Sequence, residues 1–489
     1  MSADLIELVQ KLGQPRVLVL GDVMFDRYVW GDAERISQEA PVVLLRADRR
    51  EERLGGASSV ATMLRALGAH VSLAGVVGAD ADAARVRQML TDFGVEQESV
   101  IADPSRPTTV KERYIGRAQH KHPQQMIRVD YETRAALPEL VERELIRCIT
   151  RQIGNADVVL VSDYDKGVCT PRLLASVIAA AGQAGVRTLI DPIRGNDYRK
   201  YHGCSAITPN RLEAGLATGR SIASVEDALF AAAELRERLD LEGVVVTLDR
   251  DGMALSHGDG RQLHFPTRQR QVYDITGAGD MVLSVLGLGL AAGADYADAI
   301  RLANIAGGLE VEKIGVATVT RDEILGDLLR APATNKICTL ATLKATLERR
   351  RLLGQRVAFT NGCFDVLHAG HVQYLQEARE QADALIVAVN SDSSVRALKG
   401  PHRPVNSLEA RALVLAGLQA VDFILPFDDE TPLRLIEELR PDVLVKGADY
   451  RHSQVVGAAF VESCGGRVHL AELRDGFSTT GLLAKLKAA

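Results

Sequence analysis

Short apolar runs rich in β-branched residues recur along the chain, each bounded by Gly, Asp or Asn and followed by an amphipathic stretch. The clearest runs occupy residues 16–22, 157–163, 188–192, 243–248, 356–362 and 384–390. Runs of this kind are typical of strands buried on both faces, so the pattern predicts an α/β fold with parallel sheets flanked by helices. Most runs end in Gly or a polar residue, and ligands bind at the carboxyl ends of the strands in such sheets.

The pattern changes near residue 331, where it predicts a domain boundary. Arg321–Arg330 has the pattern of a closing helix, and the stretch 331–335, which contains a proline, interrupts it. A charged helical pattern starts at Leu340 and a new strand pattern at Arg356. The predicted organisation is a first domain over 1–330, a linker with a leading helix over 331–352 and a second domain over 353–489.

Composition and charge exclude several classes of protein. The 489 residues are 46% hydrophobic and 25% charged, which is typical of a globular protein. The net charge is -6 and no block of Lys and Arg stands out, so a nucleic-acid partner is not expected. The N-terminus is acidic, and the most apolar stretch, 281–294, is too short to span a membrane. The six cysteines match no zinc pattern. We therefore expect a soluble cytoplasmic protein with no membrane partner and no metal site of its own.

The stretch 274–280 reads Asp-Ile-Thr-Gly-Ala-Gly-Asp and precedes a long apolar stretch of helical character. Gly277 and Gly279 remove side chains where the backbone must approach a ligand, and the N–H groups at a helix start bind anions. A carboxylate at the mouth of such a site, here Asp280, suits a base that takes the proton from a sugar hydroxyl. The alternative is a glycine turn with a capping aspartate.

This motif resembles the second signature of the ribokinase-like (PfkB) carbohydrate kinases. Other marks of that family follow in order, namely Gly21-Asp22 with Asp26, Gly55-Gly56-Ala57, 162–167, Asp191-Pro192, 208–213 and 247–252. The resemblance implies a ribokinase-like α/β sandwich with a small β lid, in which Asp280 is the catalytic base.

The same resemblance implies roles for the other motif residues. ATP and its Mg²⁺ would be held by Asn210, Arg211, Leu212, Glu213, Gly277, Ala278 and Gly279. Sugar hydroxyls would be held by Asp22, Asp26, Gly55 and Gly56. A monovalent cation and a homodimer through this domain are also expected. Two positions depart from the family pattern: Ser58-Ser59 stands where an Asn is common, and Ile193-Arg194 where related subfamilies have Lys-Gly.

The stretch 360–371 reads Thr-Asn-Gly-Cys-Phe-Asp-Val-Leu-His-Ala-Gly-His and follows a predicted strand. His368 and His371 are three residues apart, so they share one face of a first helical turn. Two imidazoles at the positive end of a helix can stabilise the charge that builds on an α-phosphate when pyrophosphate is displaced. A metal-binding pair and an ordinary surface turn are the alternatives.

The full string resembles the nucleotidyltransferase signature of the cytidylyltransferase-like superfamily, which implies a Rossmann-like domain. By that resemblance, His368 and His371 stabilise the transition state. Further nucleotide contacts are implied for Asn361, Gly362, Phe364, Asp392, Arg411, Lys446, Ser478 and Thr479.

The order of the two domains is similar to that of one family, the bifunctional heptose-7-phosphate kinase/heptose-1-phosphate adenylyltransferases of lipopolysaccharide precursor synthesis. By that resemblance, the first domain phosphorylates C1 of D-glycero-β-D-manno-heptose 7-phosphate. The second transfers AMP from ATP to heptose 1-phosphate, after a separate phosphatase has removed the 7-phosphate.

A phosphorylated sugar requires cations at the sugar end of the first site. Candidates are Lys111, Arg113 and Arg117 on a predicted lid strand, together with Arg27, Lys166 and Arg194. Two alternatives to this function stay open: a fusion enzyme acting on another sugar or polyol phosphate, and a nucleotide-sensing scaffold with one inactive domain.

Overall fold

The computed structural model describes residues 2–117, 124–268, 270, 272–313, 315–329, 336–352, 354–448 and 451–471. The chain divides into two compact units, Met1–Asp327 and Leu328–Ala489. Within the described ranges, no helix is both long and apolar enough to cross a membrane. The predicted linker segment 331–335 and the predicted phosphate-binding residues Ser478 and Thr479 lie outside these ranges.

The first unit alternates strands and helices. Its strands are β1 (Arg16–Gly21), β2 (Val23–Ile36), β3 (Val43–Gly56), β4 (His70–Val77), β5 (Glu96–Ala102), β6 (Thr109–Arg117), β7 (Gln124–Tyr131), β8 (Val158–Ser162), β9 (Arg187–Asp191), β10 (Ala206–Ile207), β11 (Gly243–Thr247), β12 (Met253–His257) and β13 (Gln262–Phe265). Its helices are α1 (Ser2–Lys11), α2 (Ala57–Ala66), α3 (Ala81–Asp92), α4 (Glu139–Ile153), α5 (Pro171–Ala184), α6 (Arg211–Thr218), α7 (Val225–Leu239), α8 (Ala278–Ala291) and α9 (Tyr296–Glu310), with α10 (Arg321–Leu329) at the division between the units.

A nine-stranded sheet forms the core of this unit, in the order β13-β12-β11-β10-β9-β8-β1-β4-β5. The strands from β11 to β5 are parallel, and the four apolar runs predicted for this unit are β1, β8, β9 and β11. The hairpin β12-β13 adds antiparallel strands at one edge, which the sequence analysis did not predict. Parallel strands place their carboxyl ends on one edge, where Asp22, Asp163 and Asp191 follow β1, follow β8 and end β9.

The predicted β lid is a separate four-stranded sheet in the order β3-β2-β6-β7. Strands β2 and β3 form a long antiparallel hairpin, and β6 pairs in parallel with β2. The register places Asp26 opposite Lys111 and Tyr28 opposite Arg113. The lid therefore begins directly after β1. It contains four of the six predicted cations, namely Arg27, Lys111, Arg113 and Arg117.

Helix α8 confirms the prediction that the apolar stretch after the glycine turn is a buried helix. Two of its glycines permit close packing: a Cβ on Gly287 would lie 2.5 Å from Leu160 Cδ2 of β8, and one on Gly289 would lie 3.0 Å from the Cβ of Ala299 on α9. The helix is thus held between the sheet and α9, and its N-terminus is held in place at the site.

The second unit is a Rossmann-like domain with a five-stranded parallel sheet. Its strands are β14 (Val357–Gly362), β15 (Ala384–Asn390), β16 (Phe423–Phe427), β17 (Val443–Gly447) and β18 (Arg467–Ala471). Its helices are α11 (Leu340–Leu352), α12 (Ala369–Glu380), α13 (Asp392–Lys399), α14 (Leu408–Ala416), α15 (Leu433–Leu439) and α16 (Ala458–Ser463). The order β16-β15-β14-β17-β18 reverses direction beside β14, and ligands bind at such a switch point.

Candidate active sites

The first site lies at the start of α8, where the predicted glycine turn meets the helix. Asp274 closes the turn, because its carboxylate accepts hydrogen bonds from the backbone N–H of Thr276 at 2.9 Å and of Gly315 at 3.0 Å. Gly277 is the N-cap at a φ of 104°, a conformation that disfavours any side chain. First-turn amides have no acceptor within their own helix, so this end suits an anion beside Asp280.

Asp280 is almost completely buried, with 2% of its surface exposed, and lies in the first turn of α8. The Tyr164 hydroxyl donates to Asp280 Oδ1 at 3.1 Å. Burial raises the pKa of Asp280 to about 7, the hydroxyls of Tyr164 and Ser59 and the ammonium of Lys111 lower it, and the Asp26 carboxylate raises it. A carboxylate whose pKa lies near neutrality is suited to act as a general base.

Asp22 shapes the loop that follows β8. Its Oδ2 accepts hydrogen bonds from the backbone N–H of Tyr164 at 2.8 Å and Lys166 at 3.1 Å, and its Oδ1 accepts one from Val168 at 3.3 Å. Burial and the neighbouring Asp163 raise the pKa of Asp22 to about 6. These three hydrogen bonds therefore fix the conformation of the loop after β8. A direct contact of Asp22 with the sugar stays a prediction.

The glycine pair before α2 allows the two ends of the β2-β3 hairpin to approach each other. A Cβ on Gly55 would lie 2.4 Å from Asp26 Oδ2, and one on Gly56 would lie 2.4 Å from the Asp22 carbonyl oxygen. The Ser58 hydroxyl donates to the carbonyl oxygens of Met24 at 3.1 Å and Gly55 at 2.7 Å. Ser58, one of the residues that depart from the family pattern, therefore stabilises the turn at which the sugar is expected to bind.

Arg113 contacts Asp26 and Lys111 acts on Asp280, and contact of either cation with the sugar stays a prediction. The Lys111 ammonium lies 5.2 Å from the centre of the Tyr164 ring, and burial lowers its pKa. Arg113 hydrogen-bonds to Asp26 and lies over the Tyr28 ring. These two side chains face the region between Asp26 and Asp280 and are the better placed candidates for an anionic sugar.

The other four predicted cations have different surroundings. Three pair with acids other than Asp26, the partner of Arg113, namely Arg27 with Asp82 and Glu52, Arg117 with Asp32 and Asp48, and Lys166 with Glu132. Burial raises the pKa of Glu213, and Arg194 is one of the groups that oppose this rise, so Arg194 lies close enough to act on the Asn210–Glu213 element. A role of Arg194 in holding the sugar phosphate stays a prediction.

The Asn-x-x-Glu element is a capping box at the start of α6. Asn210 Oδ1 accepts from the Glu213 N–H at 3.0 Å, and Glu213 Oε2 accepts from the Asn210 N–H at 2.9 Å. Asp191, which accepts a hydrogen bond from Thr208, lies beside this box, and its pKa is raised far above normal by burial and by Glu213 and Asp280. Asp191, Glu213 and Asp280 therefore form an acidic cluster, and a bound cation would reduce the repulsion between their negative charges.

Arg211 and Leu212 contribute to this end in different ways. The Arg211 guanidinium donates to the carbonyl oxygens of Ile222 and Leu248 and pairs with Asp251 at 2.6 Å, so it fastens α6 to the turn after β11. Leu212 is exposed. Contact of either residue with ATP stays a prediction.

The acid groups fit a magnesium ion that arrives with ATP. Among the described residues, no group of three or more His, Cys, Asp or Glu side chains could hold a metal by itself. Mg²⁺ commonly keeps several waters and binds through one or two carboxylates plus substrate phosphates. Asn210 and Glu213 would therefore hold it through water, next to the phosphates.

The second site lies at the start of α12, where the two predicted histidines come together. The rings of His368 and His371 stack with centroids 3.9 Å apart, and the Phe364 ring lies 5.4 Å from that of His371. Burial and the neighbouring His368 lower the pKa of His371 to about 4. His371 Nδ1 is buried without a hydrogen-bond partner among the residues that the structure describes. The oxygens of a bound triphosphate would accept a hydrogen bond from the protonated Nδ1. The negative charge of the triphosphate would also raise the pKa of the two imidazoles.

Lys446 and Asn361 meet at the switch point of the second sheet. Lys446 Nζ donates to Asn361 Oδ1 at 2.6 Å, which joins the ends of β14 and β17. A Cβ on Gly362 would lie 3.0 Å from the Phe364 ring, so the glycine lets the chain turn tightly after β14. The predicted residues of this motif are therefore brought to one place, with a cation at its edge.

Arg411 was predicted to bind nucleotide, and the structure places it inside the protein. It is 2% exposed and its guanidinium donates to the carbonyl oxygens of Asn406 and Cys363 and to Asp392 Oδ1 at 2.7 Å. Asp392, also a predicted nucleotide contact, is thus the partner of Arg411. The pair braces the backbone of the signature turn, and a buried charge of this kind requires such partners.

Two residues of the recognised motifs, Tyr164 and Asp365, have no role in the sequence analysis but make important contacts in the structure. Tyr164 reaches the catalytic carboxylate, as described above. Asp365 is buried and accepts hydrogen bonds from the backbone N–H of Val405 at 2.7 Å and Asn406 at 3.0 Å, so it holds a distant loop against the histidine motif. The only signal that the sequence offered for these two residues is their position inside the motifs at 162–167 and 360–371.

Comparison with known families confirms both resemblances and the predicted fold class. Residues 14–323 match the pfkB family carbohydrate kinases, and residues 359–475 match the cytidylyltransferase-like family. A ribokinase from Arabidopsis thaliana, solved with ribose and ATP, has a TM-score of 0.52 and 20% identity, covering 64% of this chain and 99% of its own. Phosphofructokinase-2 from Escherichia coli, solved with substrates and products, has a TM-score of 0.54 and 19% identity, covering 64% and 98%.

Curated relatives match over nearly the whole chain. The bifunctional protein HldE of Geotalea uraniireducens is 46% identical over 474 residues, which cover 96% of each chain. The protein of the same name from Geobacter sulfurreducens is 45% identical, covering 98% of this chain and 96% of its own. Both domains and their order are therefore shared.

Proposed function

Because the chain belongs to the HldE family of bifunctional proteins, we propose that its two sites carry out the two ATP-dependent steps of ADP-heptose synthesis. It is a carbohydrate kinase and a nucleotidyltransferase in one polypeptide. The proposed organisation is a kinase domain over 1–330, a linker with a leading helix over 331–352 and a transferase domain over 353–489. The full-length identity does not favour a fusion enzyme for another sugar or an inactive scaffold.

The kinase site transfers the γ-phosphoryl group of ATP to O1 of D-glycero-β-D-manno-heptose 7-phosphate. The observation that carries this assignment is Asp280, a buried carboxylate with a pKa near neutrality at the N-terminus of α8. Asp280 takes the proton from the sugar hydroxyl, and the amides of 277–279 stabilise the charge on the transferred group. Mg²⁺, held near Asn210 and Glu213, neutralises phosphate charge when bound. A monovalent cation would be accommodated near the fully buried Glu310 carboxyl, whose Oε2 lacks a partner among the described residues.

The transferase site couples heptose 1-phosphate to the AMP moiety of ATP and releases pyrophosphate. The sugar phosphate attacks the α-phosphorus, and His368 and His371 donate to the α-phosphate oxygens as charge accumulates there. Lys446 neutralises the triphosphate, because its ammonium stands at the switch point where the nucleotide binds. Ser478 and Thr479 are proposed as further phosphate contacts.

Incubation with heptose 7-phosphate, ATP and Mg²⁺, followed by mass analysis, tests this function. The expected product is the 1,7-bisphosphate, and addition of a 7-phosphatase is expected to yield ADP-heptose and pyrophosphate. Replacing ATP by CTP is expected to abolish the second product. No phosphorylation of the heptose, or efficient use of CTP by the transferase, would contradict the assignment.

Arg113→Ala is expected to raise KM for heptose 7-phosphate by roughly 10–100-fold, because a hydrogen bond to a charged group contributes about 1.5–3 kcal/mol. Steady-state kinase kinetics with the sugar varied would measure it. Arg117→Ala is the matched control, since Arg117 lies on the same strand and also forms an ion pair, but with Asp32 and Asp48 and not with Asp26. An unchanged KM in Arg113→Ala would remove Arg113 from the sugar-phosphate site.

A homodimer through the kinase domain is also proposed. The lid hairpin exposes neighbouring apolar side chains where β2 leads into β3, with Ile36 opposite Val43, namely Ile36, Val42, Val43 and Leu44. Such a patch is typical of a protein interface, and an identical copy presents the same patch. The proposed location is the cytoplasm, where ATP is available and thiols stay reduced.

A further inference from the structure

We propose that Tyr164 is a positioning residue of the kinase reaction, whose hydroxyl holds Asp280 so that the second carboxylate oxygen is left for the sugar hydroxyl. The inference rests on the proposed kinase function of the first site. It concerns a residue that lies 116 positions away from the carboxylate in the chain.

Tyr164 contacts three parts of the site at once. Its hydroxyl donates to Asp280 Oδ1 at 3.1 Å, and its backbone N–H donates to Asp22 Oδ2 at 2.8 Å. Its ring carries the Lys111 ammonium at 5.2 Å from the centroid. One residue therefore joins the base, the loop after β8 and a cation of the lid.

The hydroxyl can serve only as the donor to Asp280. Burial and the negative charge of Asp280 raise the pKa of Tyr164 well above 10, so the phenol keeps its proton throughout the working range. A bond from a fixed hydroxyl to Oδ1 restrains rotation of the carboxylate about its Cβ–Cγ bond. The sugar proton would then go to Oδ2, whose orientation the Tyr164 bond restrains before the sugar binds, while the Ser59 hydroxyl is a second donor to the same carboxylate.

The same bond favours the ionised form of the base. Several charged groups act on Asp280 from the elements packed against it: Lys111 from β6, Asp26 from β2, Asp191 at the end of β9 and Glu310 on α9. Asp280 raises the pKa of Asp191 and Glu310, while burial and the Asp26 carboxylate raise the pKa of Asp280 itself. Tyr164, with Ser59, opposes them and keeps a useful fraction of the base ionised near neutral pH.

Tyr164→Phe removes the hydroxyl and keeps the ring, the Lys111 contact and the backbone bond to Asp22. Because the ionised base loses a donor, its pKa rises and the acid limb of the kcat profile moves to higher pH. We expect a shift of about one pH unit and a fall in kcat at pH 7 of roughly 5-fold, because the ionised fraction of a base with a pKa of about 7 then falls from about a half to about a tenth. KM for the sugar phosphate should change little.

Tyr296→Phe is the matched control, because that buried tyrosine donates its hydroxyl to Glu242 at 3.3 Å, near the amino end of β11. Its kinase pH profile should equal that of the wild type, and both variants should retain transferase activity. An acid limb that does not move in Tyr164→Phe overturns the inference, as does an equal shift in Tyr296→Phe. Absence of kinase turnover in the wild type would instead contradict the proposed function itself.

Discussion

Asp280→Asn is expected to abolish phosphorylation of the sugar while adenylyl transfer to heptose 1-phosphate continues. The amide cannot accept the hydroxyl proton, and positioned general bases contribute roughly 10²–10⁴-fold to rate. Mass analysis should show unreacted heptose 7-phosphate as the only sugar in the mixture. Direct addition of heptose 1-phosphate should still give the nucleotide sugar.

The loss is expected to be chemical rather than structural. Burial raises the pKa of Asp280 from 3.8 to about 7, so this carboxyl increasingly destabilises the folded state as the pH rises from about 4 to about 7, and does so fully above that pH. A neutral amide of the same shape removes that destabilisation, and the thermal midpoint should not fall. Asp295→Asn, at the N-cap of α9, is the matched control, because asparagine also caps helices well. Substantial kinase turnover in Asp280→Asn would remove this carboxylate from the role of base.

His371→Ala is expected to have the opposite effect, with adenylyl transfer lost and phosphorylation retained. Preorganised donors to a developing oxyanion contribute roughly 10²–10³-fold each, and His371 lies in the first turn of α12, where such charge would be met. The 1,7-bisphosphate should accumulate, or the 1-phosphate if a phosphatase is added. Pyrophosphate release with heptose 1-phosphate and ATP measures the loss.

A control variant separates the role of His371 from a general effect of losing a histidine. Burial and the neighbouring His368 lower the pKa of His371 to about 4, so its ring is neutral at pH 7. His469→Gln is the control, because His469 lies in β18 and contacts Glu377. Retention of adenylyl transfer in His371→Ala, or an equal loss in His469→Gln, would contradict a specific role for His371.

The two variants together address the relation between the two sites. The kinase product still carries the 7-phosphate, and the transferase uses the 1-phosphate, so a separate phosphatase acts between the two steps. A mixture of the Asp280→Asn and His371→Ala proteins is therefore expected to carry out all the steps from heptose 7-phosphate to ADP-heptose when that phosphatase is present. Fusion of the domains then does not require direct transfer of an intermediate.

The amino-acid sequence by itself determined the strands, both signature turns and the family. The apolar runs became β1, β8, β9, β11, β14 and β15 because a strand buried on both faces needs apolar residues at every position. The signatures were readable because glycine turns, helix starts and the Asn210–Glu213 capping box depend on residues that are neighbours in the chain.

Only the tertiary structure decided which side chains meet. The bond from Tyr164 to Asp280 and the burial of Arg411 against Asp392 join residues that are not neighbours in the chain. Arg411 shows the reason: a helical arginine reads as a surface residue until packing surrounds it with carbonyl oxygens and a carboxylate. Local patterns encode backbone conformation, whereas hydrogen-bond partners and pKa values depend on burial and on charges that only the folded chain brings together.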